Sequence, residues 1–385
     1  MVRFLSLFSE NHVFNRSLLA FFLSFCIAFI LYKKIINWNR NKKNIIGENI
    51  RNLDILGQKE KEGTPTMGGI VIIFSTIVST ILFSSLKNIY VIILIITTIY
   101  MGGIGFIDDY IKIKYNKEGI SVINKLLGQI ILGFFIGITI YFNDNVQDIN
   151  NIKKNNNKEH ITTFPLLKRK FRKKFDYSSI LEWYNKGFKK YTWIIFIPIV
   201  IFTMIFISNG ANITDGMDGL TAGVSLIIFI TLSIISIISS NRIYSNYFNF
   251  IYIPNIKETI IFSFSFIGSL ISFIWYNTYP AKIFMGDTGS LTIGAVIATL
   301  AIINKKELIL PILCGIFFIE NISVIIQVLY FMYYKKKYGV GKRIFLMAPI
   351  HHHFQKLGYH ENTISNRFII IQIMFSVLVL ILLIY

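Results

Sequence analysis

Ten separate apolar runs, each close to the length needed to cross a bilayer, constrain this chain more than any other feature. They fall near Leu18 to Tyr32, Met67 to Ser84, Ile89 to Ile107, Leu126 to Phe142, Trp193 to Ser208, Leu220 to Ser239, Thr259 to Tyr276, Ile283 to Ile303, Leu308 to Tyr334 and Phe368 to Tyr385. Lipid offers no partner to an open backbone N–H or C=O, so these runs are expected as helices and not as sheet. The fold class is therefore an all-α integral membrane protein of about ten transmembrane helices, one polytopic domain over residues 1–385. Composition agrees, with 54% hydrophobic and only 15% charged residues. The first run lacks a small-residue cleavage site and leads into a Lys-rich loop, so it reads as a retained span and not a removed signal. Cys26 and Cys314 both lie in apolar runs, which points away from a disulfide framework or a thiolate zinc site.

A net charge of +19 raises the question of nucleic acid, but no basic groove motif stands out and the cations sit in short loops beside apolar spans. The loops after odd-numbered spans (33–66, 108–125, 209–218, 277–282 and 335–366) hold 19 Lys or Arg, against 5 in the short loops after even-numbered spans. That bias places the odd loops in the cytoplasm and both termini outside. Against it stands 143–190, an Asn/Lys-rich polar insert with 12 basic residues on the outer side. Long loops translocate with less regard to charge, and the composition suggests a flexible or partly ordered appendage.

The carboxylates carry the functional signal. Five of the nine aspartates, Asp108, Asp109, Asp215, Asp218 and Asp287, sit beside glycines at span edges, and all five belong to odd loops or, for Asp287, to the span edge that follows one. Solvated surface acids would scatter over both sides, so the one-sided grouping argues for a shared site, the alternative being that these acids merely cap helix ends. Gly102, Gly103 and Gly105 precede the Asp108-Asp109 pair and allow close approach of a backbone or a substrate. Adjacent carboxylates repel unless a cation lies between them, and magnesium, a hard ion that also binds phosphates, is the natural neutraliser. Asp215 and Asp218, in Asn209 to Gly219, are three apart and share a face if that segment is helical. Asp287 lies in Phe284-Met-Gly-Asp-Thr-Gly-Ser290, where a turn can bring a carboxylate and backbone N–H groups to a phosphate. His351, His352 and His353 diverge on any regular backbone, which disfavours one shared zinc and favours phosphate contact or proton handling. Lys61 to Gly69, with Thr64 and Thr66, reads as a phosphate or substrate clamp, and Lys112 and Lys125 as cations facing a polyanion.

These motifs, in this order, resemble the bacterial phospho-N-acetylmuramoyl-pentapeptide-transferases, within the polyprenyl-phosphate N-acetylhexosamine-1-phosphate transferases. The residues that carry the likeness are Lys61 to Gly69, Asp108-Asp109-Tyr110, Asn212 to Gly219, Phe284 to Ser290 and Pro349 to Gly358. The resemblance implies transfer of phospho-N-acetylmuramoyl-pentapeptide from its UDP form to undecaprenyl phosphate, with release of UMP, in a bacterial inner membrane. It implies magnesium held by Asp287 with Asp108 and Asp215 as further metal ligands. It also implies a catalytic centre of Asp108, Asp109, Asp215, Asp287 and the three histidines. Lys61, Thr64, Thr66, Lys112, Lys125, Asn212, Asp218, Asn277 and Phe284 become substrate-binding residues, Phe284 stacking on uracil. Membrane lipid is an expected partner, and a homodimer is among the assemblies left open. The sequence leaves three other readings: an ion-coupled transporter, for which Glu320 and Asn321 within the ninth run speak; an N-acetylglucosamine-1-phosphate transferase; and a non-catalytic scaffold.

Overall fold

The computed structural model describes residues 12–41, 61, 63–115, 119–143, 161–164, 174–183 and 185–384. The apolar runs are helices: α1 Val13–Asn41, α2 Gly69–Phe83, α3 Ile89–Tyr115, α4 Val122–Phe142, the short α5 Ser178–Glu182, α6 Trp193–Thr214, α7 Leu220–Ser240, the short α8 Arg242–Tyr247, α9 Lys257–Asn277, α10 Gly286–Ile303, α11 Leu310–Leu313, α12 Gly315–Tyr338, α13 Ile350–Lys356 and α14 Glu361–Ile384. Among the described residues nine helices are long and apolar enough to cross a membrane, and the expected second span, α2, is an apolar helix of 15 residues. Its rise is about 22 Å, short of the roughly 30 Å hydrocarbon thickness. The expected ninth span is not continuous: α11 ends at Leu313, Cys314 departs from helical geometry (φ −100°, ψ 36°), and α12 begins at Gly315. The two cysteines are free.

The bundle is built around α10, whose residues from Thr288 to Ile303 are all buried. Hydrophobicity alone does not drive helices together in lipid, so close packing falls to small residues. Gly294 lets α10 press onto the α6 backbone at Ile207 and Ser208, where a Cβ would stand 2.6 Å away. Gly268 does the same for α9 against Phe21 of α1, and Ser24 donates to the Ser265 carbonyl at 2.6 Å beside it. Gln129 of α4 and Asn209 of α6 exchange amide hydrogen bonds at 3.3 and 3.0 Å. Asn321 of α12 donates to the Phe206 carbonyl at 2.9 Å.

The described parts of the five odd loops gather at one end, the end at which α10 begins; α1 starts and α14 ends at the other. At that far end Arg16 forms an ion pair with Glu258 at 2.6 Å, both nearly enclosed, and Glu258 accepts the Ser85 N–H at 2.7 Å. One carboxylate thereby ties α1, the α2–α3 connection and α9.

The insert is partly described. Its strands β1 Ile161–Thr163 and β2 Lys174–Asp176 pair antiparallel, with Thr162 opposite Phe175. The hairpin sits on the connection after α10: Thr163 N–H donates to the Lys305 carbonyl at 3.1 Å, and the buried Lys306 ammonium donates to Thr163 Oγ1 at 2.5 Å. Tyr177 donates to Glu307 at 2.7 Å. Burial pulls the Lys306 ammonium down to about 7 and pushes the Glu307 carboxyl up. Residues 144–160, 165–173 and 184 of this insert lie outside the described residues.

Arg16→Ala leaves Glu258 enclosed without its cation, which for a buried pair costs roughly 3 kcal/mol. The expected outcome is a lower thermal unfolding midpoint in detergent micelles, measured against Arg16→Lys, which keeps the charge.

Candidate active site

No helix breaker follows Ile107, so α3 continues through Asp108 and Asp109, which were expected in a loop, to Tyr115. Two successive helical residues point about 100° apart, and the two carboxylates take different tasks. Asp109 faces the start of α10: one oxygen accepts Asp287 N–H at 3.0 Å, the other accepts Thr288 N–H at 2.9 Å and Thr288 Oγ1 at 2.6 Å. It caps from another helix the first-turn amides of α10 that have no partner within it. Asp108, fully enclosed, accepts Ile120 N–H at 2.6 Å and pairs with Lys112 at 2.7 Å and Lys125 at 2.9 Å. The same two ammoniums reach Asp287, at 3.1 and 2.7 Å. Asn212, at the end of α6, donates to Asp287 at 3.0 Å and to Ser290 Oγ at 3.0 Å.

Ligand oxygens of Asp108, Asp109 and Asp287 all lie within 4.8 Å of one another. Three carboxylates without a thiolate or imidazole among them suit a hard oxygen-seeking cation. Backbones make the cluster possible. A Cβ on Gly105 would stand 2.4 Å from the Asp287 carbonyl oxygen, and one on Gly69 would stand 2.2 Å from Gly289 N. Gly103, grouped by sequence with Gly102 and Gly105, meets nothing within 4 Å.

Asp215 and Asp218 do not share a helical face. α6 ends at Thr214, Asp215 follows it as C-cap with φ −77° and ψ 47°, and a turn leads through Asp218 to the left-handed Gly219. Asp215 stands outside the close triad of carboxylates, whereas Asp218 is buried in a second cluster. There Lys61 Nζ is 2.6 Å from Asp218 Oδ1 and 2.5 Å from Glu361 Oε1. Burial opposes the Lys61 charge, yet the Glu361 and Asp218 carboxylates outweigh it and raise its pKa. Asn277 accepts Gly219 N–H at 3.0 Å and donates to the Ile283 carbonyl at 2.8 Å. Phe284 is half-buried, its N–H donates to the Pro65 carbonyl at 2.8 Å, and the Lys61 ammonium lies 5.9 Å from its ring centre. Thr66 is buried and Thr64 half-buried on the same strand of chain.

The expected divergence of the three histidines holds only in part: the His351 and His352 rings lie 4.2 Å apart with both Nε2 atoms toward Gly216, and His353 packs against Phe345. His351 is fully buried, its Nδ1 3.1 Å from Glu320 and its Nε2 against Gly216. His352 bonds Gln355 at 2.7 Å, and burial, followed by His351 and Lys61, pulls it down to about 4. It is therefore neutral near pH 7. His353 accepts Leu346 N–H at 3.2 Å, bracing the loop before α13.

Comparisons with known proteins give the family of the chain. A family model described as glycosyl transferase family 4 matches residues 91–305. One described as phospho-N-acetylmuramoyl-pentapeptide-transferase signature 1 matches residues 61–73. The phospho-N-acetylmuramoyl-pentapeptide-transferase of Flavobacterium psychrophilum is 48% identical over 384 residues, covering 95% of this chain and 93% of that protein. That of Amoebophilus asiaticus is 50% identical over 394 residues, covering 96% and 94%. The chain belongs to the phospho-N-acetylmuramoyl-pentapeptide-transferase family. A further member, from Porphyromonas gingivalis, is 44% identical over 366 residues, covering 90% and 85%.

For this transferase the resemblance implied one centre of Asp108, Asp109, Asp215, Asp287 and the histidines, and a nucleotide pocket of Lys61, Asp218, Asn277 and Phe284 with Lys112 and Lys125 around it; in the structure Lys112, Lys125 and Asn212 instead meet Asp108 and Asp287, and Asp215 stands outside the triad. Sequence reasoning missed Glu361, because only aspartates were tested for one-sidedness; Glu361 lies in the same odd loop and the same count would have found it. It also missed Thr288 and Ser290, hydroxyls already present in the Asp287 motif. Glu320, the residue behind the transporter reading, is enclosed and paired with His351.

Gly105→Val has no room against the Asp287 backbone and is expected to displace the head of α10. A shift of about 1 Å there costs on the order of 100-fold in turnover. Gly103→Ala, in open space, is expected to stay within about twofold, both measured as transferase turnover at matched protein levels.

Proposed function

We propose that this protein transfers phospho-N-acetylmuramoyl-pentapeptide from its UDP-activated form to undecaprenyl phosphate, releasing UMP and forming the first lipid-linked precursor of peptidoglycan. The site end of the bundle faces the cytoplasm, in keeping with the 19 basic residues of the loops that meet there. The single observation that carries the proposal is the group of three carboxylates within 4.8 Å, fed by two lysines, at one end of an apolar bundle. Both substrates are polyanions and one is insoluble in water, so a cation-rich centre at a membrane face is what the reaction needs. The names of the relatives point the same way.

Asp287, Asp108 and Asp109 are the proposed holders of magnesium. Once bound, the ion would neutralise diphosphate charge and stabilise the departing UMP. Lys112 and Lys125, already between Asp108 and Asp287, are placed to pair with phosphate oxygens when the diphosphate enters. Asp109 serves chiefly by fixing the start of α10, which sets where Asp287 stands. Lys61, Asp218, Asn277 and Phe284 form the pocket for the nucleotide.

Direct attack fits the enclosure of Asp108 better than a covalent intermediate on that residue. One of its oxygens accepts Ile120 N–H and the other is paired with two ammoniums, so it is a poor nucleophile. A lipid phosphate oxygen, ionised near pH 7 without help, bonds to the sugar-linked phosphorus. The bond from that phosphorus to the bridging oxygen breaks, and the oxygen leaves with UMP.

The test supplies purified protein with UDP-N-acetylmuramoyl-pentapeptide, undecaprenyl phosphate and magnesium, and reads UMP release. Chelation is expected to abolish release and added magnesium to restore it. Asp287→Asn is expected to lower turnover by about 10²–10³-fold. Wild-type protein that releases no UMP, or an Asp287→Asn variant with full turnover, sinks the proposal.

A further inference from the structure

Glu361 opens α14, the last helix of the bundle, and belongs to none of the motifs that point to the reaction. Its side chain is only 8% exposed. A single oxygen, Oε1, receives the Lys61 ammonium at 2.5 Å and the Asp218 backbone N–H at 2.6 Å. Asp218 takes the same ammonium on Oδ1 at 2.6 Å and the Ala281 N–H on Oδ2 at 2.9 Å. Ser365, one turn further along α14, donates to the Asp218 carbonyl at 3.0 Å. Four distant segments thus meet on one ammonium and two carboxylates: residue 61, the turn after α6, the loop before α10 and the head of α14.

An acid in the first turn of a helix often does no more than offset the helix dipole. Such an acid needs no cation 300 residues away and no backbone donor from another element. We infer that Glu361 is a positioning residue of the nucleotide pocket: it locks Lys61 onto Asp218 and so commits that cation to the base end of the pocket, away from the diphosphate.

The charge balance explains why this matters. One ammonium shared by two carboxylates leaves the cluster with a net negative charge, which repels a diphosphate and suits a neutral ring with one N–H to donate. Without the Glu361 charge, Lys61 has one carboxylate partner in place of two and is free to swing toward phosphate. The Asp218 N–H, buried at the turn, loses a charged acceptor at the same time. Lys61 is thereby assigned to the base rather than to the phosphate clamp that its sequence motif suggests.

The inference rests on the proposed nucleotide-sugar reaction, and the experiment separates the two. Glu361→Gln keeps the oxygen that accepts the Asp218 N–H and removes only the charge. It is expected to raise KM for the UDP-substrate about tenfold or more while kcat stays within about twofold. The inhibition constant of uridine, which lacks phosphate, should rise in parallel. The double variant Lys61→Gln/Glu361→Gln should bind no worse than the weaker single variant, because both remove one interaction. Wild-type protein without turnover would overturn the reaction and leave uridine binding as the readout of the pocket, to be judged by the same cycle. With an active wild type, a Glu361→Gln loss confined to kcat, unchanged uridine inhibition, additive effects in the double variant, or failure of Glu361→Gln to accumulate folded would each overturn the role of Glu361 alone.

Discussion

The head of α10 is the constraint on which the rest of this molecule depends. A helix that starts inside an apolar bundle brings several backbone N–H groups with no partner of their own, and lipid cannot supply one. Asp109 meets that need from α3, accepting from Asp287 N–H, Thr288 N–H and the Thr288 hydroxyl. The contact also fixes the position of Asp287, the residue after the left-handed Gly286. Structure and site are therefore joined at one carboxylate: what satisfies the helix end also presents the next acid to the solvent-facing centre.

Close backbone approach is the second requirement, and glycine meets it. α2 and α3 come against α10 at Gly69 and Gly105, where a side chain would overlap the chain of Asp287 to Gly289. A triad with ligand oxygens within 4.8 Å follows from that proximity. The charges then arrange themselves in two groups. Near α10, two lysines serve two carboxylates in a centre fit for phosphate and a hard ion. Beside it, one lysine serves two carboxylates, Asp218 and Glu361, in a pocket whose surplus is negative. A divalent ion on the triad would turn that centre positive while the Lys61 cluster stays negative, and on the proposed reading this directs the diphosphate to the first and the base to the second.

The far end of α10 has a different character. The insert hairpin seats on Lys305 and Lys306 through backbone and hydroxyl contacts, and Tyr177 covers Glu307. Arg16 and Glu258 close the same end of the bundle elsewhere. Ion pairs and hydrogen bonds here hold connections together; at the triad, by contrast, Lys112 and Lys125 are shared between Asp108 and Asp287, and of these acids Asp287 alone keeps a partial exposure.

Hydropathy by itself determined that the chain is an all-helical membrane protein and where most helices run, because apolar length and backbone pairing leave lipid few alternatives. Loop position also determined that five acids share one end, since successive spans must alternate direction. Tertiary structure decided what periodicity could not reach. It carried α3 past the apolar run so that Asp108 and Asp109 diverge, and it ended α6 before Asp215, so that Asp215 and Asp218 part company. It broke the ninth run at Cys314 and kept α2 to 15 residues. It also recruited Glu361 from the far end of the sequence. Each of these is set by contacts between segments far apart in the chain, whose energies depend on which backbone lies opposite, and local sequence does not encode that neighbour.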